Sequence, residues 1–368
     1  MLSVLSRWRV VLGLLLTAVF LGLFLYFIDL AGMVHALSQA NYWYVIPAVA
    51  IYFLGVVVRS ARWALVLGPV KAVPPGRLFP VVVISFAANN VLPVRLGELV
   101  RAYLVGQREG MSKTVALGTV AVDRLMDGLA LLGFFFLGAL LTPSVHWAQD
   151  SLIVTVVRGT AAIFGGVALL FVVLVLFPRL ARRVLGRLLQ LLTRTALALP
   201  LGMARQPVLR FEAQIERLVD LFLQGLEAMR SPWRLALGLA LSLVIWGIEA
   251  AMFLLIAKSF ALELPFTVML LATATSNLVT TVPSSQGGVG PFEGVLVGTL
   301  ALFGVGSGVG GAFAVALHAA LLVPITVLGF VLLWTQQFHW RQLVRQVLGP
   351  SPTDGPAASN PGPGHTKA

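Results

Sequence analysis

The chain has 368 residues, 58% of them hydrophobic and 11% charged, with a formal net charge of +12 and a mean hydropathy of +0.94. A soluble domain carries about 25% charged residues; so few charges cannot cover a water-facing surface, which makes lipid the solvent for most of the chain. The absence of cysteine excludes a disulfide framework, a thiolate metal site and a cysteine nucleophile. The positive charge is read as basic residues gathered at cytoplasmic helix ends beside anionic headgroups, with no nucleic-acid partner.

Residues 10–28 form an apolar run behind Arg7 and Arg9 and are expected to be an uncleaved first helix. Further spans are expected over 43–67, 114–141, 153–178, 233–257 and 308–335, with Trp43, Tyr44, Trp147, Trp233 and Trp334 at their borders. Two other apolar stretches are interrupted. One covers 78–92 and stops at Pro93; the other covers 266–282, stops at Pro283, and resumes over 288–303 after a glycine-rich turn. Such backbone is tolerated at depth only where it lines a cavity or is buried in protein, so both are read as re-entrant hairpins. The loop 179–231 reads as two amphipathic helices, 180–197 and 208–229, lying on the inner leaflet and separated by Pro200 and Pro207. The Pro-, Gly- and Ser-rich stretch 349–368 is expected to be disordered. The remainder, 1–340, is one membrane domain.

With the N-terminus inside, the cytoplasmic segments hold 21 of the 26 Lys and Arg residues and the outer segments only Lys258. This predicts six crossings with both termini cytoplasmic, in a cell inner membrane. A shift of 190 residues lays Trp43 on Trp233, Pro75 on Pro265, Ser85 on Thr275, Leu92-Pro93 on Val282-Pro283 and Gly97 on Gly287. The halves 43–141 and 233–335 then each read span, hairpin, span. The single helix between them makes the repeat inverted, an arrangement that places a substrate path at the interrupted segments. The expected fold is therefore all-α integral membrane, with two re-entrant hairpins in an inverted repeat.

Polar residues in these segments are the candidate site. Asn89 and Asn90 precede Pro93; Arg95, Glu98 and Arg101 follow at helical spacing. Two readings stand for that triad: an ion-paired cap on the hairpin, or a cationic site whose Arg forks take a phosphate. Asp123, Arg124 and Asp127 open the next span, with either a proton or cation role or pairing to the hairpin arginines. In the second hairpin Gly287, Gly288 and Gly290 permit positive φ and close approach, Ser284 and Ser285 supply hydroxyls, and a half-helix beginning near Gly288 would offer free N–H groups to an anion, with Glu293 in its first turn. Glu249 and His318 are single polar residues in spans, read as cavity groups or as buried with a partner; Arg59 and Arg62 are read as snorkelling at a cytoplasmic helix end. No set of metal ligands or cofactor motif stands out.

The pattern N-x-L-P-x-R-x-G-E-x-x-R (Asn90, Leu92, Pro93, Arg95, Gly97, Glu98, Arg101), followed by Asp123, Arg124 and Asp127 and then P-x-x-x-G-G-x-G-x-x-E (Pro283, Gly287, Gly288, Gly290, Glu293), resembles the transmembrane region of lysylphosphatidylglycerol synthases, which also occurs alone in flippase-like membrane proteins. The resemblance runs from about residue 10 to 340, with Asp123 where the family often has Glu and Gln286 where it often has Pro. It implies translocation of an anionic, aminoacylated or glycosylated lipid between leaflets. It does not imply synthesis, which in the synthases belongs to a soluble C-terminal domain not expected here. No nucleotide-binding motif is present, so the driving force would be an ion gradient or downhill flow. Two alternatives stay open: a membrane-embedded transferase acting on a lipid-linked sugar, against which the outer loops offer only the isolated Asp29, Asp150 and Glu263, and a non-transporting partner of a lipid-synthesis enzyme.

Overall fold

The structure, a computed structural model, describes residues 17–92, 96–142, 177–198, 231–280 and 286–335, together with a few isolated positions elsewhere. All regular structure among the described residues is helical. Helix α1 (Thr17–Phe27) turns through 88° into α2 (Leu30–Gln39). The break sits at Asp29, whose carboxylate accepts from the Gly32 amide at 2.9 Å and so caps α2.

Four helices are long and apolar enough to cross a membrane: α3 (Val45–Leu67), α6 (Lys113–Leu141), α8 (Pro232–Ser259) and α11 (Ser307–Thr335); the bent α1–α2 pair makes a fifth if it is one span. These agree closely with the four long spans read from hydropathy. Helix α7 (Pro178–Ala198) falls on the first amphipathic segment, with Leu180, Leu188 and Leu191 exposed. The expected crossing 153–178, the second amphipathic helix 208–229 and the tail 349–368 lie outside the described residues.

Each interrupted stretch folds as two packed helices. Helix α4 (Pro75–Val91) begins on a proline, which needs no N–H partner in a first turn, and ends just before Pro93; α5 (Gly97–Glu109) follows and closes on Gly110 at φ +63°. Helix α9 (Phe266–Thr280) ends before Pro283, and α10 (Pro291–Ala301) again starts on proline. A Cβ on Gly97 would lie 2.1 Å from the Ser85 carbonyl oxygen, so only glycine lets α5 fold back so closely on α4.

The core joins the two halves reciprocally. Helix α3 packs along α8, α4 packs on α11, and α9 packs on α6. A glycine opens each of the last two contacts: a Cβ on Gly329 would meet Ala87 Cβ at 2.3 Å, and one on Gly138 would meet Leu271 Cβ at 2.8 Å. Trp63, Phe253, Phe313, Ile84 and Met126 fill the space between. Overpacking a tight contact costs about 1–3 kcal/mol. Gly329→Leu and Gly138→Leu are each expected to lower the thermal midpoint of the detergent-purified protein. Gly133→Leu, where an added Cβ meets nothing within 4 Å, should leave the same melt unchanged.

Candidate functional site

Helix α3 carries two arginines three residues apart, hence on one face. Helix α6 faces them with Asp123 and Asp127. Arg62 Nε donates to Asp123 Oδ1 at 2.9 Å and its Nη1 to Asp127 Oδ1 at 2.6 Å. Nη1 also donates to Ser242 Oγ of α8 at 2.6 Å. Arg59 Nη2 donates to Glu249 Oε2 of α8 at 2.9 Å, and its Nη1 reaches Asp127 at 3.4 Å. Arg101 Nη1 donates to the second oxygen of Asp123 at 2.7 Å, and its guanidinium lies 3.9 Å from the centre of the Trp63 ring. Arg124 approaches Glu98 at 3.4 Å and Asp127 at 3.5 Å. Four guanidiniums thus meet four carboxylates. Neutral groups tie the edges: Trp246 Nε1 donates to Asp127 at 3.1 Å, and Asn277 Nδ2 to Glu249 at 3.0 Å.

A charge taken out of water costs several kcal/mol unless it is paired, and this explains three departures from the sequence reading. Arg59 and Arg62 do not snorkel. Arg59 stands eight residues before the end of α3, about 12 Å along the axis, and both arginines turn inward because Asp123, Asp127 and Glu249 would otherwise be uncompensated. Arg101 does not pair with Glu98 or present a free cation to a phosphate; its side chain is 0% exposed and committed to Asp123. Glu98 turns instead to Arg124 and accepts from Asn89 Nδ2 at 3.3 Å.

A second cluster sits at the glycine turn. Gly287, Gly288 and Gly290 all have positive φ, and a Cβ on Gly290 would lie 2.4 Å from Phe20 Cβ of α1. The α10 N-terminus lies three residues beyond the start expected near Gly288. The helix starts at Pro291, and Glu293 Oε2 accepts from the Gly290 amide at 2.7 Å. Glu293 Oε1 lies 2.6 Å from His318 Nδ1, and His318 Nε2 lies 3.1 Å from the Gly287 carbonyl oxygen. The His318 ring stacks at 4.3 Å on Phe292.

Between the two clusters lies a cavity of about 850 Å³, counting the space at its open mouth. Asn89, Asn90, Arg124, Glu249, Gly287, Gly288 and His318, all expected as site residues, line it. Glu98, Asp123, Asp127 and Glu293 are not on its wall and stand behind it as partners of groups that are, and Arg101 lies one step further back as the partner of Asp123. Arg95, Ser284 and Ser285 lie outside the described residues. Tyr52, Arg59, Phe86, Trp246 and Asn277 line the cavity too and were missed. The signal for Arg59 was its place beside Arg62 deep within an apolar span, opposite an acidic pair of matching spacing. Asn89 and Asn90 also secure the first hairpin: Asn89 Oδ1 accepts from the Gly97 amide at 2.8 Å, and Asn90 Nδ2 donates to Thr326 Oγ1 of α11 at 2.8 Å.

Long apolar helices around a polar, charge-lined cavity define a multi-pass membrane protein. The chain belongs to the family described as the lysylphosphatidylglycerol synthase TM region, which matches residues 10–329. A "UPF0104 membrane protein" of Methanothermobacter thermautotrophicus is 26% identical over 309 residues, covering 80% of this chain and 86% of that protein. "Glycosyltransferase AglD" of Haloferax volcanii is 26% identical over 316 residues, covering 78% of this chain but only 48% of its own length. A "UPF0104 membrane protein MJ1078" of Methanocaldococcus jannaschii is 24% identical over 242 residues, 66% of this chain and 90% of that one. No solved structure matches the chain significantly.

Removing one partner of a buried pair strands the other, at a cost of about 3–5 kcal/mol. Asp123→Ala, which strips Arg101 and takes one of two carboxylates from Arg62, is expected to lower the thermal midpoint sharply. Arg59→Glu and Glu249→Arg should each destabilise, and the double swap should recover most of the loss in the same melt.

Proposed function

We propose that the protein moves the headgroup of an anionic, aminoacylated or glycosylated lipid between bilayer leaflets through the cavity at the two interrupted segments, the acyl tails remaining in the membrane. The carrying observation is Arg124. Of the four arginines in the network it alone keeps substantial exposure, 31% of its side chain. It lines the cavity, while its buried Nε and Nη2 face Glu98 at 3.4 Å and Asp123 at 3.9 Å. A partly exposed arginine on a cavity wall fits a phosphate, and Asn89 and Asn90 supply neutral polar groups on the same wall.

The packing supports an inverted repeat as the frame for this path. Helices α3 to α6 have 23, 17, 13 and 29 residues, and α8 to α11 have 28, 15, 11 and 29. The contacts are exchanged between halves: α4 lies on α11, its counterpart α9 on α6, and α3 on its own counterpart α8. Arg59 and Glu249, which bond each other, are 190 residues apart, the same offset that aligns the two halves. Counterpart residues touch only near a two-fold axis, so the axis would pass beside the cavity. On this reading the interrupted segments are re-entrant hairpins, the chain crosses six times with both termini cytoplasmic, and rocking of the halves exposes the cavity to each leaflet in turn.

The name of the Haloferax relative favours a second reading, transfer of a sugar at the membrane. About half of that protein lies beyond the match, and of the outer-loop carboxylates Asp29 is occupied as a helix cap. Translocation is therefore the stronger reading. In proteoliposomes carrying fluorescent phosphatidylglycerol, the wild-type protein should make inner-leaflet label accessible to dithionite. Arg124→Gln should reduce the rate at least about tenfold, one charge-assisted contact being worth about 1.5–3 kcal/mol, with a normal gel-filtration profile. Wild-type rates in Arg124→Gln would overturn the proposed path.

A further inference from the structure

We propose that Glu293 and His318 form a proton-binding site on the lipid path, so that a proton binds and leaves in step with the anionic headgroup. The inference rests on the translocation reading and adds to it the coupling ion. The geometry dictates a shared proton. The Gly287 carbonyl oxygen 3.1 Å from Nε2 can only accept, so Nε2 carries a hydrogen. At the other ring nitrogen, Nδ1 lies 2.6 Å from Glu293 Oε1. A bare Nδ1 facing an ionised carboxylate at that distance would set two acceptors against each other. One further proton must lie between them, on Nδ1 or on Oε1, and the pair holding it is neutral overall.

The first half offers an instructive contrast. Glu98, in the first turn of α5, faces Arg124 of α6, as Glu293, in the first turn of α10, faces His318 of α11. Arg124 and His318 both line the cavity. Arg124 is a permanent cation, since arginine does not give up its proton; a histidine can gain and lose one. Release breaks the bond between the shared proton and Nδ1 or Oε1 and passes the proton to water in the cavity, leaving a neutral imidazole, a carboxylate and a net charge of −1. Two acceptors then repel across the former contact. Glu293 keeps the Gly290 amide, while His318 holds the Gly287 carbonyl, so the strain falls on the glycine turn that forms part of the cavity wall. An anionic headgroup disfavours the discharged pair, and by linkage the proton favours the headgroup.

Other charged groups near the site are already engaged. Arg59 from α3 and Glu249 from α8 bond each other, and Arg124 from α6 meets Glu98 and Asp127. Tyr52 from α3 is the remaining titratable group on the wall, and α4 contributes only the amides of Asn89 and Asn90. From α2, which packs on α11, Asp29 is committed to its helix cap and His35 is exposed on the surface. Glu293 is thus the carboxylate placed to share the His318 proton.

The test uses the full chain with ¹⁵N-labelled histidine in micelles, with His318→Gln assigning the signal among the five histidines. The His318 pair should show a protonation step between pH 5 and 9. Its midpoint should rise by at least about half a unit, a threefold gain in proton affinity, when dihexanoyl phosphatidylglycerol is added. Glu293→Gln, which can still accept from Gly290, should abolish that rise. No step in this range, or a midpoint indifferent to the lipid, overturns the proposal. In proteoliposomes an inward pH gradient should speed wild-type movement of fluorescent phosphatidylglycerol severalfold and leave Glu293→Gln unchanged. Gradient-independent wild-type movement removes the proton coupling and keeps translocation. Absence of any wild-type movement removes translocation, and the lipid-dependent titration then decides the proton site alone.

Discussion

Four guanidiniums held against four carboxylates in a water-poor interior govern how the rest of the chain is arranged. Arg62 and Asp123 have no exposed side-chain surface, and neither could remain charged there alone. Asp123 is held from two sides, by Arg62 of α3 and Arg101 of α5, and Asp127 is shared by Arg59 and Arg62. Such networks are poor sources of net stability, because desolvation offsets much of the attraction. They do fix register. With Ser242 and Glu249 drawn in from α8, the network sets α3, α5, α6 and α8 against one another at one depth and in one rotation, which a uniformly apolar interface would leave loosely specified.

The cavity follows from that arrangement. A neutralised cluster can line one side of a membrane cavity without drawing in free counter-ions, and of its arginines only Arg124 keeps a substantially exposed side chain. The opposite side is built from backbone as much as from side chains: three left-handed glycines, the α1 helix pressed against Gly290, and the Glu293–His318 pair bracing the turn. Both sides consist of a carboxylate in the first turn of a short helix facing a basic side chain on the next long one. The proposed two-fold relation between the halves, which the reciprocal packing of α4 on α11 and α9 on α6 supports, would account for that likeness.

Much of this was legible in the sequence. The ends of α3, α6, α8 and α11 follow hydropathy within a few residues, and the first break follows Pro93, because a residue before proline leaves the helical region, as the extended Leu92 does. The polar residues of the interrupted segments were singled out because polarity is rare in lipid. The pairing pattern was not legible. Glu98 and Arg101 share a helix face and suggest a local pair, yet Arg101 is taken by Asp123, 22 residues away, and Glu98 by Arg124. Spacing along one helix cannot reveal competition from another helix. Arg59 was misplaced for the same reason: its partner Glu249 is 190 residues distant, and only the tertiary fold sets the two side by side. The bend at Asp29 escaped because an apolar run on either side of a capping residue reads as a helix end and says nothing of the angle that follows.

The central claim is that the cavity between the interrupted segments receives a lipid headgroup. The chain contains no cysteine, so single cysteines report on it without background. Leu322 lines the cavity, whereas Val327, on the same helix, is 58% exposed on the apolar exterior. In proteoliposomes, Leu322→Cys should react with a membrane-impermeant thiol reagent and be protected by dihexanoyl phosphatidylglycerol, and Val327→Cys should do neither. A cysteine at 322 that is unreactive from both sides of the membrane, or that reacts without protection by the lipid, would contradict the account.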